Sequence, residues 1–208
     1  MSQPVDLKRR SYWLKTMHEW HWISSALCLI GVLLFSVTGI TLNHSSQIEA
    51  KPVVVTLKAT LPADLIARIK PEPGEAEAAL PGVVSDWISE AMDVRVGSRP
   101  GEWSESEVYI SMPRAGGDAW MSIDRASGEV EYERTDRGWI AWLNDLHKGR
   151  NTGAVWNWFI DVFAIACIVF ALTGFVLLQL HSRQRPLTWP MVGLGLMVML
   201  LIAILFIH

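Results

Sequence analysis

Three long apolar runs, near residues 22–42, 154–180 and 189–207, constrain this chain more than any other feature. Each is long enough to cross a bilayer core of about 30 Å, which takes about 20 helical residues. Inside lipid a backbone must satisfy its own N–H and C=O groups, so an isolated run of this length is read as a helix. The sequence therefore predicts three transmembrane helices. Composition agrees: half of the 208 residues are hydrophobic and 19% are charged, below the quarter (about 25%) usual for soluble domains.

These runs divide the chain into a basic tail (1–17), a first span (18–44), a middle domain (45–146), a second span (147–181), a short loop (182–187) and a third span (188–208). The tail holds Lys8, Arg9, Arg10 and Lys15 against Asp6. The positive-inside rule places it in the cytoplasm. The first apolar run is too long for a signal peptide, and no small-x-small cleavage site follows it. It reads as a retained anchor, with Trp20 and Trp22 at the lipid interface. Arg183 and Arg185 in the loop agree with that orientation. The expected protein is a multi-pass bacterial inner-membrane protein with a cytoplasmic N-terminus. Its middle domain and its C-terminus, with His208, are expected in the periplasm.

The middle domain reads as a small α+β unit with an antiparallel sheet. Strands are expected at Lys51–Leu57, Glu107–Met112, Ala119–Asp124 and Glu129–Arg134, the last two joined by a turn at Arg125–Gly128. A short helix runs from Leu61 through Ile69, broken at Pro71–Gly74. Glu75–Leu80 reads as a weak helix or loop, Val83–Met92 as a helix, and Trp139–His147 as an amphipathic segment near the outer surface. Asp and Glu outnumber Lys and Arg here, which argues against a nucleic-acid partner. Cys28 and Cys167 both lie in apolar runs and read as packing residues. The middle domain has no cysteine, so no disulfide framework holds it.

The histidines carry the functional signal. Each of the first two spans repeats Phe-x-x-Thr-Gly, at Phe35–Gly39 and at Phe170–Gly174. His44 follows the first repeat and His181 the second. His18 and His21 open the first span, and His147 opens the second. Because the two spans run antiparallel, His18, His21 and His181 meet at one edge, and His44 and His147 at the other. A b-type haem held by two imidazoles between facing helices needs this arrangement. Gly39 and Gly174 remove a side chain where a porphyrin would approach the backbone. Two haems, one near each face, would form an electron path across the membrane. His18 and His21 share a helical face, only one need ligate iron, and the sequence does not choose between them.

A plainer reading stands beside this one. Histidines can sit at an interface as amphipathic residues, and a Thr-Gly pair can mark a close helix–helix contact. Covalent haem attachment is excluded, since there is no Cys-x-x-Cys-His. His18-x-x-His21 lacks further ligands for zinc. No phosphate loop, dinucleotide pattern or flavin fingerprint occurs. Asp161, inside the second span, is a candidate for proton handling or a haem-propionate contact, or else an interfacial residue. Asn43, Lys148 and Arg150 flank the outer histidines. Their basic groups fit haem propionates and lipid phosphates equally well.

Thr38-Gly-Ile-Thr-Leu-Asn-His44, Leu146-His-Lys-Gly-Arg150 and Phe170-Ala-Leu-Thr-Gly174 resemble the motifs of the PepSY-associated transmembrane helix proteins. The middle domain resembles a PepSY domain, chiefly over Ala119–Arg134 with its Asp-x-x-Ser-Gly-Glu-Val turn. Larger members of this superfamily include inner-membrane ferric-siderophore reductases with two b haems. The resemblance implies two haems per chain. His44 and His147 would serve the outer one, with Gly39 and Arg150 beside it. His181 with His18 or His21 would serve the inner one, beside Gly174. It also implies electron delivery from quinol or a cytoplasmic reductase to a periplasmic acceptor such as an iron complex. This chain is smaller, with three spans rather than four or more, so a homodimer or another membrane subunit is expected to complete the unit. The competing expectation is a non-enzymatic anchored PepSY module that binds or regulates a periplasmic partner, or assists assembly of a membrane complex.

Overall fold

A computed structural model describes residues 4–48, 51–69 and 77–207. The expected break at Pro71–Gly74 and terminal His208 lie outside the described residues. In chain order the elements are α1 (Pro4–Asn43), β1 (Val53–Thr60), α2 (Ala63–Ile66), β2 (Glu77–Ala79), α3 (Gly82–Met92), β3 (Pro100–Trp103), β4 (Glu107–Ser111), β5 (Gly117–Asp124), β6 (Glu129–Asp136), α4 (Trp139–Lys148), α5 (Ala154–His181) and α6 (Thr188–Phe206). They form two compact units, Met1–Leu34 with Trp158–His208, and Phe35–Asn157.

The first unit is helical. Segments of α1, α5 and α6 are long and apolar enough to cross a membrane, as the apolar runs predicted. The basic tail is not a separate element, because α1 extends back through it to Pro4. No glycine or proline interrupts the tail after Pro4, and proline itself suits a first helical turn. The Phe163 ring of α5 seats on α1 at Gly31, where an added Cβ would collide with it. Small residues at a membrane helix contact permit this approach. Beside it Cys28 is buried and hydrogen-bonded to Cys167, both as free thiols. No residue of α6 is buried, as expected of a helix solvated by lipid.

The second span does not begin at residue 147. Gly149, Asn151 and Gly153 all adopt positive φ, at 67°, 57° and 82°. Left-handed residues end a helix, so α4 stops at Lys148 and α5 starts at Ala154. His147 therefore belongs to the short amphipathic helix α4. Trp156 Nε1 donates to the Leu146 carbonyl at 2.9 Å and bridges the break.

The second unit holds a six-stranded antiparallel sheet in the order β1-β6-β5-β4-β3-β2. The four expected strands are present. Glu77–Ala79 is a strand rather than a weak helix or loop, because it pairs with β3, itself too short to announce itself by alternation. Helix α3 lays Val84, Ile88 and Met92 onto the sheet. Val108, Ile110, Met121, Ile123 and Val130 meet them there, all fully buried. Burying such a side chain contributes about 1.5–3 kcal/mol, so these alternating positions define the core. The expected turn at Arg125–Gly128 is held by Asp124 Oδ1, which accepts from the Ala126 and Ser127 N–H groups and the Ser127 hydroxyl. Those Ser127 bonds hold the Asp124 carboxyl below its ordinary range. Gly128 closes the turn at φ 74°, tight against Ile66.

Candidate functional site

The two Phe-x-x-Thr-Gly repeats do the same thing in their two settings. Each grips one histidine from another helix. In the second unit, α1 presents Phe35, Thr38 and Gly39 to His147 of α4. The His147 Nδ1 lies 2.7 Å from Thr38 Oγ1, its ring lies 4.9 Å from that of Phe35, and its Cε1 is 3.6 Å from where a Gly39 Cβ would be. In the first unit, α5 presents Phe170, Thr173 and Gly174 to His21 of α1. The His21 Nδ1 lies 3.1 Å from Thr173 Oγ1, its ring stacks on Phe170 at 4.7 Å, and its Cε1 is 3.0 Å from where a Gly174 Cβ would be. The same ring atom meets the glycine in both. Both threonines are buried.

Carbonyl partners fix the proton at four of the rings. His21 Nδ1 lies 3.2 Å from the Phe170 carbonyl as well as beside Thr173, whose hydroxyl donates to the Val169 carbonyl at 2.7 Å. His18, His44 and His181 place Nδ1 2.9–3.0 Å from the carbonyls of Leu14, Ile40 and Leu177, one turn back on their own helices. A carbonyl can only accept, so these four rings donate from Nδ1, which leaves the Nε2 lone pair as the outward function of the neutral ring. At His147 the single Thr38 hydroxyl proton can go to Nδ1 at 2.7 Å or to the Phe35 carbonyl at 3.3 Å, so either tautomer satisfies the pair.

At the first-unit site three of these rings share one cavity. It measures about 580 Å³ and is lined by His18, His21, His181, Gly174, Phe170 and Arg185 among others. The His18 and His181 ring centroids are 6.0 Å apart with the planes at 81°. So His18, His21 and His181 come together as the sequence predicted, with Gly174 at their base. In the second unit the ring that faces Gly39 is His147 itself, while His44 sits exposed just past the end of α1. Among the described residues no group of three or more His, Cys, Asp or Glu side chains is placed to hold a metal ion.

Asp145 was not legible in the sequence. It is buried on α4 and takes the Gly116 N–H at 2.9 Å, with Arg150 at 3.0 Å and Arg137 at 3.4 Å. Gly116 has φ 76° and lies so close to Trp142 that a Cβ would strike the helix backbone. A second tie runs from Thr41 Oγ1 to Asn144 Oδ1 at 2.8 Å. Together these contacts hold α4 against the β4–β5 turn and the end of α1, and so fix His147. Arg150 is thus first a partner of Asp145. Asp161 is exposed on α5, with no hydrogen bond or ion pair among the described residues.

Comparison with curated proteins and with solved structures gives no match. The Putative PepSY_TM-like family matches residues 12–208, which takes in α1 from Tyr12 on, the sheet, both histidine clamps, α5 and α6. The chain belongs to the PepSY_TM-like family.

Proposed function

We propose that this protein is a dihaem b-type electron-transfer protein of the bacterial inner membrane. It would carry electrons from a quinol or cytoplasmic reductase to a periplasmic acceptor such as an iron complex. The observation that carries this reading is that Nδ1 of all five histidines is engaged, at four of them by a carbonyl that can only accept, so that Nε2 is left over. Ligating histidines characteristically donate their other ring N–H to a carbonyl or another fixed acceptor. A haem at each end would supply one-electron chemistry, its potential tuned by axial ligands and their hydrogen bonds.

At the first-unit site the residues present suit such a group. The 580 Å³ cavity falls in the size range of cofactor sites, about 300–1,000 Å³. Gly174 leaves the His21 ring room that a Cβ would press upon. His21 and His147 are the rings held by the repeated clamp, so they are assigned as ligands, with His181 and His44 as their respective partners. Thr173 and Thr38 keep each clamped ring from turning, and Phe170 and Phe35 cover one face. His18 lines the same cavity and is the alternative to His21.

Single alanine variants test the assignment by haem stoichiometry in the purified protein. His147→Ala and His44→Ala should each remove one haem and the same haem. His181→Ala and His21→Ala should remove the other. Retention of both haems in His21→Ala with loss in His18→Ala would move the inner ligand to His18.

The competing function, an anchored module that binds a periplasmic partner, has its own supporting observation. Strand β1 is the sheet edge, and Val53, Val54, Val55 and Leu57 on it are exposed. An open edge with apolar side chains is a surface on which another chain can add. Full function in a variant that has lost all haem would favour that reading.

A further inference from the structure

A second cavity, of about 480 Å³, lies within the Phe35–Asn157 unit beside α4. Neither His44 nor His147 lines it. Its walls are of two kinds. Leu42, Ile48, Trp139 and Ile140 are apolar, while Lys51, Arg137, Lys148 and Arg150 are cationic. Asp145 is the sole acid lining it among the described residues, and it is already shared between the two arginines. Lys51 and Lys148 have no ion-pair partner among the described residues. The Arg137 Nε–H is buried and has no acceptor there either. Buried N–H groups are rarely left unpaired, and one that is unpaired asks what ligand completes it. Four cations against one shared carboxylate ask for an anion.

The apolar wall and the position narrow the choice. Leu42, Ser45 and Ile48 belong to the end of α1 and the residues just after it, where the first apolar run gives way to polar chain. A ligand here meets lipid-depth side chains at one end and lysine and arginine at the other. We infer that this cavity is a binding site for an anionic phospholipid headgroup. The phosphate would sit among Lys51, Arg137, Lys148 and Arg150, with the upper acyl chain along Leu42 and Ile140. Basic pockets at the membrane boundary recognise headgroups in this way. The site uses none of the histidines, and of the two anions weighed for Lys148 and Arg150 it takes the lipid phosphate.

The test is equilibrium binding of dioctanoyl phosphatidylglycerol to the detergent-purified full chain, read by native mass spectrometry. Dioctanoyl phosphatidylcholine and inorganic phosphate run in parallel. The expected result is saturable phosphatidylglycerol binding. The zwitterionic lipid and free phosphate should each bind more weakly, by about tenfold or more. Lys51→Gln with Lys148→Gln should weaken phosphatidylglycerol binding by about thirtyfold, from about 1 kcal/mol per lysine near a charged surface. Neither lysine supports the Asp145 contacts, so this variant should melt with the wild type. Lys58→Gln, on β1 and outside the cavity, should bind as wild type. Equal binding of the two lipids, or no effect of the paired lysine change, would overturn the proposal. Saturation by inorganic phosphate at the affinity of the lipid would overturn the lipid assignment.

Discussion

Thr38 Oγ1 lies 2.7 Å from Nδ1 of His147, across two helices far apart in sequence. Thr173 Oγ1 stands likewise 3.1 Å from Nδ1 of His21. A side chain that most often serves as a small packing residue here holds an imidazole by its Nδ1 and leaves Nε2 free.

The threonines are positioning residues. Thr38→Val and Thr173→Val keep the shape and remove the hydroxyl that holds Nδ1. Each should weaken the haem at its own end by about 10–100-fold, the cost of losing such an outer contact, and shift its midpoint potential. Thr→Ser at either position should restore both. Haem titration and a redox titration of each variant check this, and a valine variant with unchanged potential would deny the threonine that role.

The glycines of the two clamps should respond unequally. A Gly39 Cβ would meet His147 at 3.6 Å, an ordinary contact, whereas a Gly174 Cβ would meet His21 at 3.0 Å. Gly39→Ala should therefore be nearly silent. Gly174→Ala should push the His21 ring aside and reduce occupancy at that end. Haem per chain in the two alanine variants checks the asymmetry.

Asp145 should be worth more to stability than to chemistry. Asp145→Ala strands the Gly116 N–H and removes the shared partner of Arg137 and Arg150. The buried N–H accounts for most of an expected loss of about 1–3 kcal/mol. The arginines are partly exposed and add little, because solvent screens them. Denaturant unfolding of the purified protein measures the total, and hydrogen exchange across α4 should rise in parallel.

The turn at Asp124 gives a pH dependence. Hydrogen bonds from Ser127 lower the folded carboxyl's pKa below its unfolded value. A depressed carboxyl contributes stability that is present above the unfolded pKa and lost as pH falls through the folded one. Wild-type stability should therefore fall on acidification below the ordinary aspartate range. The part of that fall due to this residue should vanish in Asp124→Asn. Unfolding midpoints of both proteins against pH check the sign.

The parts of this protein visible in sequence are those written by local pattern. Apolar length predicts α1, α5 and α6, and β-branched alternation predicts four of the six strands. The repeated Phe-x-x-Thr-Gly marks both clamps through residue order alone. What was hidden depends on tertiary pairing. β2 becomes a strand only because β3 lies beside it. His147 leaves the second span because three left-handed residues follow α4, and positive φ at asparagine is not announced by hydropathy. Asp145 looks like one more surface acid on an amphipathic helix until Gly116, Arg137 and Arg150 converge on it. The threonines were legible as a repeat but not as histidine partners, since that role requires knowing which imidazole stands opposite.

The central claim is tested most directly by a dithionite-reduced minus air-oxidised visible spectrum of the detergent-purified protein, with haem per chain quantified. The account predicts sharp b-type bands at two haems per chain, as the two clamps each imply one. Protein from haem-replete cells that shows no such bands would contradict it, and would return the five histidines to the membrane interface.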